Sequence, residues 1–346
     1  MRVLALESSC DETSAAVVRR VEGVTTLEGL AILSQDVHRI FGGVVPELAS
    51  RGHLETVGPV VERAMAEAGV SLADLDGIAV TRGPGLLGAL LVGVAWAKTL
   101  AWREGLPLIG VHHLEGHLFA PVLEDPTVAP PFTALLVSGG HTMLLDVPAW
   151  GEYRLLGQTR DDAAGEAFDK VGTLLGLDYP AGATIERLAM GGDPARFSFP
   201  RPLLRGTADD PYGFSFSGLK TAVLRAVQQV DELDAARADL ARGFQDAVIE
   251  VLVTKTAAAA AAHGRHLVVL GGGVACNRTL AEAMRAAVTP WGRVAVATPR
   301  LNTDNAAMIG AAGVWHLERG DRDDHTLEPS DALPLPGLVI PNGAAA

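Results

Sequence analysis

Three histidines in VHHLEGHLFA, residues 111 to 120, carry the clearest chemistry in the chain. His113 and His117 stand four positions apart, and on a helix that spacing puts both imidazoles on one face with Cβ atoms roughly 5 to 6 Å apart. Such a pair suits one metal ion, with surface or capping histidines the alternative reading. It follows the apolar run PLIGVHH directly, where α/β proteins place their ligand loops. The spacing also resembles the zinc-peptidase pattern H-E-x-x-H, but the acid here is Glu115, two positions after His113. Two residues turn a helix by roughly 200°, so Glu115 points away from the metal face and cannot act as that motif's base. His112 is also off the shared face and reads as a structural or supporting residue. The third ligand falls on Asp304 in NTDNAAM, a polar turn before an alanine-rich helix, where a plain helix N-cap is the alternative reading. Two imidazoles and a carboxylate leave coordination positions open for water or a phosphate oxygen.

Anion-binding chemistry falls on two glycine turns. SGGHT, residues 138 to 142, presents small residues whose backbone N–H groups can approach an anion, with Ser138 and Thr142 adding hydroxyls. LGGGVACN ends a strand in Gly271, Gly272 and Gly273 and starts a helix near Asn277, whose dipole and free N–H groups favour a nucleotide. RGPGLLG holds a formal G-x-G-x-x-G at Gly83, Gly85 and Gly88, but the next strand ends in histidines instead of a ribose-binding acid, so it reads as a tight turn. No G-x-x-x-x-G-K-[ST] occurs, which excludes a P-loop NTPase. GEAFDK puts Asp169 on a helix with Glu166 and Lys170, where solvated helix charges and a ribose contact from Asp169 are both open readings. FSFSGLKTAV offers Ser215, Ser217 and Lys220, as consistent with a helix N-terminus as with a phosphate contact.

The elements that must position these groups alternate along the chain. VLAL and AAVV flank the turn ESSCDETS and predict a hairpin; TALLV and MLLDV around SGGHT repeat the arrangement about 130 residues later. This repeat implies two related lobes. Helical spacing runs through LETVGPVVERAMAEAG, a buried helix through LLGALLVGVAWAKTLAWREG, and further helices through DDAAGEAFDKVGTLLGL, ADLARGFQDAVIEVLVTKTAAAAAAHG and RTLAEAMRAAV, with a strand at HLVVL. Pro329, Pro334, Pro336 and Pro341 disfavour helix near the C-terminus and predict an extended tail.

With 346 residues and 48% hydrophobic content, the chain can build two ordinary cores. Its aromatic content of 5% against 39 glycines favours close backbone approach and an α/β class. Cys10 and Cys276 form no spacing pattern and read as the thiols of a cytosolic protein. The longest uncharged apolar run, Gly83 to Ala97, ends at Lys98, short of the roughly 20 residues that span a bilayer. No membrane association and a cytoplasmic location are expected. A formal charge of −13 argues against a generic nucleic-acid binder.

Taken in order, ESSCDET, GGVVPELASR, GPGLLGALLVG, HHLEGH, LLVSGGHT, DDAAGEAFDK, FSFSGLKT, GGGVACNRTL and TDNAAMI resemble the bacterial TsaD family, the tRNA adenosine threonylcarbamoyltransferases. The likeness runs from residue 1 to about residue 316. It implies the actin-like, Hsp70 and sugar-kinase ATPase fold, with two RNase H-like lobes around a nucleotide. The expected division is 1–108 with 305–320 as the first lobe, 109–304 as the second lobe with metal and nucleotide sites, and 321–346 as a proline-containing tail. The resemblance puts metal ligands on His113, His117 and Asp304, and substrate contacts on Leu136, Val137, Ser138, Gly139, Gly140, Asp169, Gly182 and Asn277. Gly272, Gly273, Ser9 and Asp11 are further nucleotide-loop candidates. Where the family usually shows a double glycine, this chain has Ala181 before Gly182.

The implied activity moves the threonylcarbamoyl group from threonylcarbamoyl-AMP to N6 of the adenosine 3′ of the anticodon in tRNAs reading codons that begin with A. The acyl phosphate is already activated, so no serine or cysteine nucleophile is required; the sequence names no proton acceptor. One divalent metal is implied, iron before zinc, with an adenine nucleotide in the cleft. tRNA, a TsaB-like inactive paralogue forming a heterodimer and a small TsaE-like ATPase are the implied partners, the helix at 54 to 68 being a candidate interface. The competing readings are a metal-dependent glycoprotein endopeptidase and an Hsp70-fold nucleotide-binding module without transferase activity.

Overall fold

Short apolar runs bounded by glycine and polar turns become strands, and the longer periodic stretches become helices, in the computed structural model, which describes residues 1–340. First come β1 (Arg2–Glu7), β2 (Glu12–Val21), β3 (Val24–Ser34), α1 (Pro46–Ala68), β4 (Gly77–Gly83), α2 (Leu87–Glu104), β5 (Leu108–His112) and α3 (His113–Phe119). Next are β6 (Phe132–Val137), β7 (Thr142–Ala149), β8 (Glu152–Gln158), α4 (Ala164–Leu174), α5 (Gly182–Ala189), α6 (Ser217–Val227), α7 (Leu233–Ala262), β9 (Leu267–Gly271), α8 (Arg278–Val288) and β10 (Arg293–Val296). The chain closes with α9 (Pro299–Asn302), α10 (Ala306–Glu318) and β11 (Leu338–Val339).

Two units result, Met1–Val128 with Ala297–Pro336, and Ala129–Val296 with the chain from Gly337. In the first, strand order is β3-β2-β1-β4-β5. The pairs β1/β2 and β2/β3 are antiparallel, and β1/β4 and β4/β5 are parallel. Period-two alternation explains why both faces of this sheet are apolar. Leu4, Leu6, Val17, Ile78 and Val80 join the core that takes in residues of α1 and α2. The intervening positions meet α10, which approaches through glycine: a Cβ on Gly310 would lie 2.6 Å from Val18 Cγ2, and one on Gly313 2.4 Å from Ala79 Cβ.

The second unit repeats the plan. Its order β8-β7-β6-β9-β10, with β11 added beside β8, has antiparallel β6/β7 and β7/β8 and parallel β6/β9 and β9/β10. Both hairpins expected from the sequence form, and the topology extends that repeat to five strands in each unit. α4, α5, α6, α7 and α8 supply the large apolar cluster of this unit, with Phe168, Phe214, Phe216 and Phe244 buried in it.

The expected unit boundaries are corrected. The chain does not change unit at residue 108: β5 pairs with β4 and runs straight into α3, which packs on α10, so residues 109–128 stay in the first unit. Residues 297–304 join it too, because the backbone N–H and the hydroxyl of Thr298 both donate to Glu124 and Arg300 donates to the Leu30 carbonyl. The metal ligands therefore belong to the first unit and the glycine turns to the second. Residues 321–336 form no helix, as expected of the proline-containing tail, and they are tied to the first unit. Asp323 accepts from the Gly110 N–H at 2.8 Å, Lys98 donates to the Leu327 carbonyl, and Ser330 N–H donates to the Arg82 carbonyl. Residues 341–346, Pro341 included, lie outside the described residues. α2 also differs from expectation: Ala89, Leu90, Val94 and Ala97 are buried, but Leu87, Leu91 and Trp102 are exposed. No helix among the described residues is long and apolar enough to cross a membrane.

Candidate metal centre and glycine turns

The turn between β1 and β2 is the floor of the metal centre. Glu7 closes β1 with its carboxylate buried; Oε1 accepts from the Ser9 N–H and Oε2 from the Thr81 hydroxyl at 2.7 Å. Gly85 lets the following helix turn press on this loop, since a Cβ there would lie 2.7 Å from the Ser9 carbonyl oxygen. The glycines of RGPG thus serve close packing and not a dinucleotide. His53 bridges the Cys10 carbonyl at 3.0 Å and the Thr13 hydroxyl at 2.8 Å, tying α1 to the same turn.

His113 and His117 project from one face of α3 with ring centroids 4.8 Å apart and planes at 86°. Asp304 reaches them because the neighbouring Asn305 takes the capping role: its Oδ1 accepts from the Ala307 and Met308 N–H groups at 2.9 and 3.1 Å. The N-cap alternative for Asp304 is thereby ruled out. Asp304 Oδ1 stands 3.5 Å from His113 Nε2 and 3.3 Å from His117 Nε2. On its other side, His113 Nδ1 meets Glu7 Oε2 at 3.1 Å and the Ser9 hydroxyl at 3.3 Å.

Burial and charge divide the two imidazoles. Burial disfavours the charged form of His113, but the carboxylates of Asp304 and Glu7 outweigh it and hold its pKa well above the usual value. Burial pushes that of His117 down, and Asp304 offsets it only in part. Asp304 itself, against the cost of burial, is held far below the ordinary carboxylate range by the two rings. Burial together with Asp304 and Asp11 raises the Glu12 pKa above the ordinary carboxylate range.

The donor set fits a metal ion. His117 is buried, yet neither of its ring nitrogens makes a hydrogen bond among the described residues, an omission that is costly unless something else engages them. Donors about 2.1 Å from a tetrahedral metal stand about 3.4 Å apart, which the 3.3 and 3.5 Å separations match. The Glu7 carboxylate on Nδ1 of His113 is the orienting partner that metal-bound histidines ordinarily have. His113, His117 and Asp304 form the candidate metal cluster found among the described residues.

In the second unit, β6 delivers Leu136 and Val137 as buried ladder residues that offer only main-chain groups. Ser138 N–H donates to the His141 carbonyl at 2.8 Å and the Ser138 hydroxyl accepts from the His141 N–H, which tightens the turn. Gly139 and Gly140 are exposed at its tip, with open space where a Cβ would sit. The turn is seated on α4: Thr142 Oγ1 accepts from the Ala164 N–H at 2.9 Å and Gly165 N–H donates to the Ser138 carbonyl. The second turn abuts the first. Gly272 has φ +96°, and a Cβ on it would lie 2.5 Å from the Val137 carbonyl oxygen. Gly273 is exposed beside it.

Other expected contacts are committed internally. Asn277 caps α8 through the Leu280 N–H and donates to Gln245, both at 2.9 Å. Asp169 accepts from the Ala181 N–H at 2.8 Å, holding the chain that enters α5 at Gly182. Ala181 is accommodated where glycine was expected because Gly172 leaves room for its Cβ. Lys170 pairs with Asp162 and Glu166, and the Ser215 and Ser217 hydroxyls both donate to Asp161. Ser9 lies beside His113 in the first unit, where Asp11 also lies, its carbonyl accepting from the Gln35 N–H. Sequence reasoning missed Glu7 as an orienting acid, though an acid that closes an apolar strand beside a ligand loop was a usable signal. Thr81, Asn305 and His316 carried no such signal.

Comparison with known proteins follows the same lines. A family model described as TsaD: tRNA N6-adenosine threonylcarbamoyltransferase matches residues 26–311. Proteins named tRNA N6-adenosine threonylcarbamoyltransferase from Gemmatimonas aurantiaca and from Geobacter sp. (strain M21) are 59% and 54% identical, over 99% and 98% of this chain and 100% and 98% of their own. The crystal structure of T. kodakarensis HypF aligns with TM-score 0.62 over 92% of this chain and 48% of that one at 14% identity, a likeness of fold alone.

Proposed function

We propose that this chain, which belongs to the TsaD family of tRNA N6-adenosine threonylcarbamoyltransferases, transfers threonylcarbamoyl from threonylcarbamoyl-AMP to N6 of the adenosine 3′ of the anticodon in tRNAs reading codons that begin with A. The N6–carbon bond forms as the carbon–oxygen bond to phosphate breaks, AMP leaves with the electron pair, and N6 gives up a proton. The observation that carries the reading is the convergence of His113, His117 and Asp304 from distant parts of the chain.

These three residues would hold one divalent ion, with Fe(II) the first candidate and zinc the second, since imidazole and carboxylate accept both. When bound, the ion supplies Lewis-acid stabilisation of charge on a phosphate oxygen. Glu7 fixes the orientation of the His113 ring, and buried His117 supplies a neutral imidazole. The Ser138–Gly140 and Gly272–Gly273 turns, exposed at their glycine tips, offer backbone N–H groups to an adenylate, and holding that group lowers the entropy cost of attack. Exposed Leu54 on α1, with Leu91 and Trp102 on α2, suits docking of a TsaB-like paralogue, and a TsaE-like ATPase completes the expected set; the location is cytoplasmic.

A peptidase reading is disfavoured because Glu115 faces His316 at 2.9 Å and not the metal ligands. An Hsp70-type module needs no imidazole-bound metal. The test is mass spectrometry of tRNA nucleosides after incubation with the chain, both partners and threonylcarbamoyl-AMP. Wild type is expected to yield the modified adenosine, and His113→Ala to lose both bound metal and product while keeping its fold. Unchanged modification by His113→Ala rules out the metal assignment.

A further inference from the structure

A segment fastened to the floor of the metal centre is left unused by the reaction proposed above. Residues Asp36–Phe41 form a short 3-10 turn of 6 residues between β3 and α1. Its base is fixed. Gln35 N–H donates to the Asp11 carbonyl at 3.1 Å, Gln35 Nε2 donates to the Ala49 carbonyl at 3.1 Å, and α1 approaches through Gly52, where a Cβ would lie 2.5 Å from Gln35 Oε1. Buried His38 closes the turn: its Nδ1 accepts from the Val45 N–H at 3.3 Å, which leaves the ring proton on Nε2, 3.2 Å from Gln35 Oε1. The turn that carries Asp11 is the one that sets the Ser9 hydroxyl beside His113.

The outward side of this anchored segment is apolar. Val37 is 44%, Phe41 56% and Ile40 78% exposed, the last exceeding every other large apolar side chain among the described residues. Gly42, at φ +69°, ends the turn, and space is open where a Cβ on Gly43 would sit. Charge says what kind of contact this side can make with RNA. The first unit carries 12 Lys and Arg against 23 Asp and Glu, a net charge of −11, whereas the second carries 16 against 18, a net charge of −2. A unit so acidic repels phosphates, so its contacts with an RNA loop fall on bases. Unpaired bases of such loops are splayed out and stacked on aromatic rings.

We propose that Phe41 is the platform on which the base 3′ of the target adenosine stacks, with Ile40 widening the apolar surface, so that the adenine itself is held out toward the metal centre. The inference rests on the transferase reading above. Codons that begin with A pair with a uridine as the third anticodon base, the 5′ neighbour of the target; its single small ring is the poorer stacking surface, which leaves the 3′ neighbour for the platform. The reach is short, since a 3-10 segment rises about 2 Å per residue and Phe41 therefore lies within about 12 Å of Gln35, the residue bonded to the floor turn. Taking the target base out of the loop stack costs stacking energy, and a ring that receives its neighbour offsets part of that cost.

The test is steady-state modification of tRNA by the chain with both partners and threonylcarbamoyl-AMP, measured against tRNA concentration. Phe41→Ala is expected to raise KM for tRNA about tenfold with kcat within about twofold of wild type, Phe41→Leu to do nearly the same although it stays apolar, and Phe41→Trp to restore KM. A cycle with tRNA carrying an abasic residue 3′ of the target shows what the ring touches: on that substrate Phe41→Ala should cost less than about twofold. Because Phe41 is exposed, its truncation should leave the urea-unfolding midpoint unchanged. Unaltered KM in Phe41→Ala, or the same loss on abasic and intact tRNA, overturns the proposal. So does a KM restored as fully by Phe41→Leu as by Phe41→Trp, which would make apolar area and not stacking the contact. Loss of a partner from the Phe41→Ala complex on size exclusion assigns the turn to protein docking and overturns the proposal as well. If wild type forms no modified adenosine, the transferase reading fails first and this one with it.

Discussion

Asn305→Ala probes how the chain frees Asp304 for the metal centre. Asn305 is fully buried and makes four hydrogen bonds: Oδ1 accepts from Ala307 and Met308 N–H, and Nδ2 donates to the Leu301 and Thr303 carbonyls at 2.9 and 2.7 Å. Loss of the cap costs about 1 kcal/mol. Each carbonyl deprived of its donor adds about 1 kcal/mol, for a total of about 3 kcal/mol. The side chain also decides what Asp304 does, because without Asn305 the acid becomes the nearest group able to cap α10 and is drawn away from His113 and His117. Urea unfolding of metal-free protein, followed by tryptophan fluorescence with Trp315 inside α10 as a local reporter, measures the first effect; zinc titration measures the second. Asn305→Ser keeps a capping acceptor and should lose about 2 kcal/mol with little change in zinc affinity. A loss below about 1 kcal/mol in Asn305→Ala, or zinc binding as tight as in wild type, refutes the reasoning.

Three further outcomes are expected. Asp161 accepts from Ser215, Phe216 and Ser217 at the start of α6, and these bonds, outweighing burial, lower its pKa. A depressed acid contributes stability that is present above the unfolded value of about 3.9 and lost as pH falls through the lower folded value, so the deficit of Asp161→Asn seen at pH 7 should shrink as pH falls through that lower value in acid-denaturation curves. Gly165→Ala would put a Cβ 2.6 Å from the Ser138 carbonyl oxygen, and because that neighbour is backbone the SGGH turn must shift. Calorimetry should show adenylate binding at least about tenfold weaker with helix content retained, and undiminished binding would remove the turn from the proposed site. Arg265 donates to the fully buried Asp146 at 2.6 and 3.1 Å, so Arg265→Met should destabilise by roughly 3 kcal/mol in chemical denaturation, more than a surface pair could.

Local pattern was enough for much of the architecture and for the shared face of His113 and His117. Apolar alternation around ESSCDETS and SGGHT specified two hairpins, because a half-turn period is visible in a few residues. The i, i+4 spacing of His113 and His117 put them on one face, and the same helical geometry turned Glu115 away from them. Edge strand β3, with its mixed exposure, and the short helix α5 carried no comparable period and were not anticipated. Unit boundaries were also out of reach of local pattern, since only the β4/β5 pairing and the α3/α10 packing keep residues 109–128 with the first sheet. That Asn305 and not Asp304 caps α10 was decided by the fold: the buried carbonyls of Leu301 and Thr303 require donors, and the Asn305 amide supplies them. Glu7 and His316 reach α3 from positions far away in the chain, so their roles exist only once the sheet and α10 have brought them there.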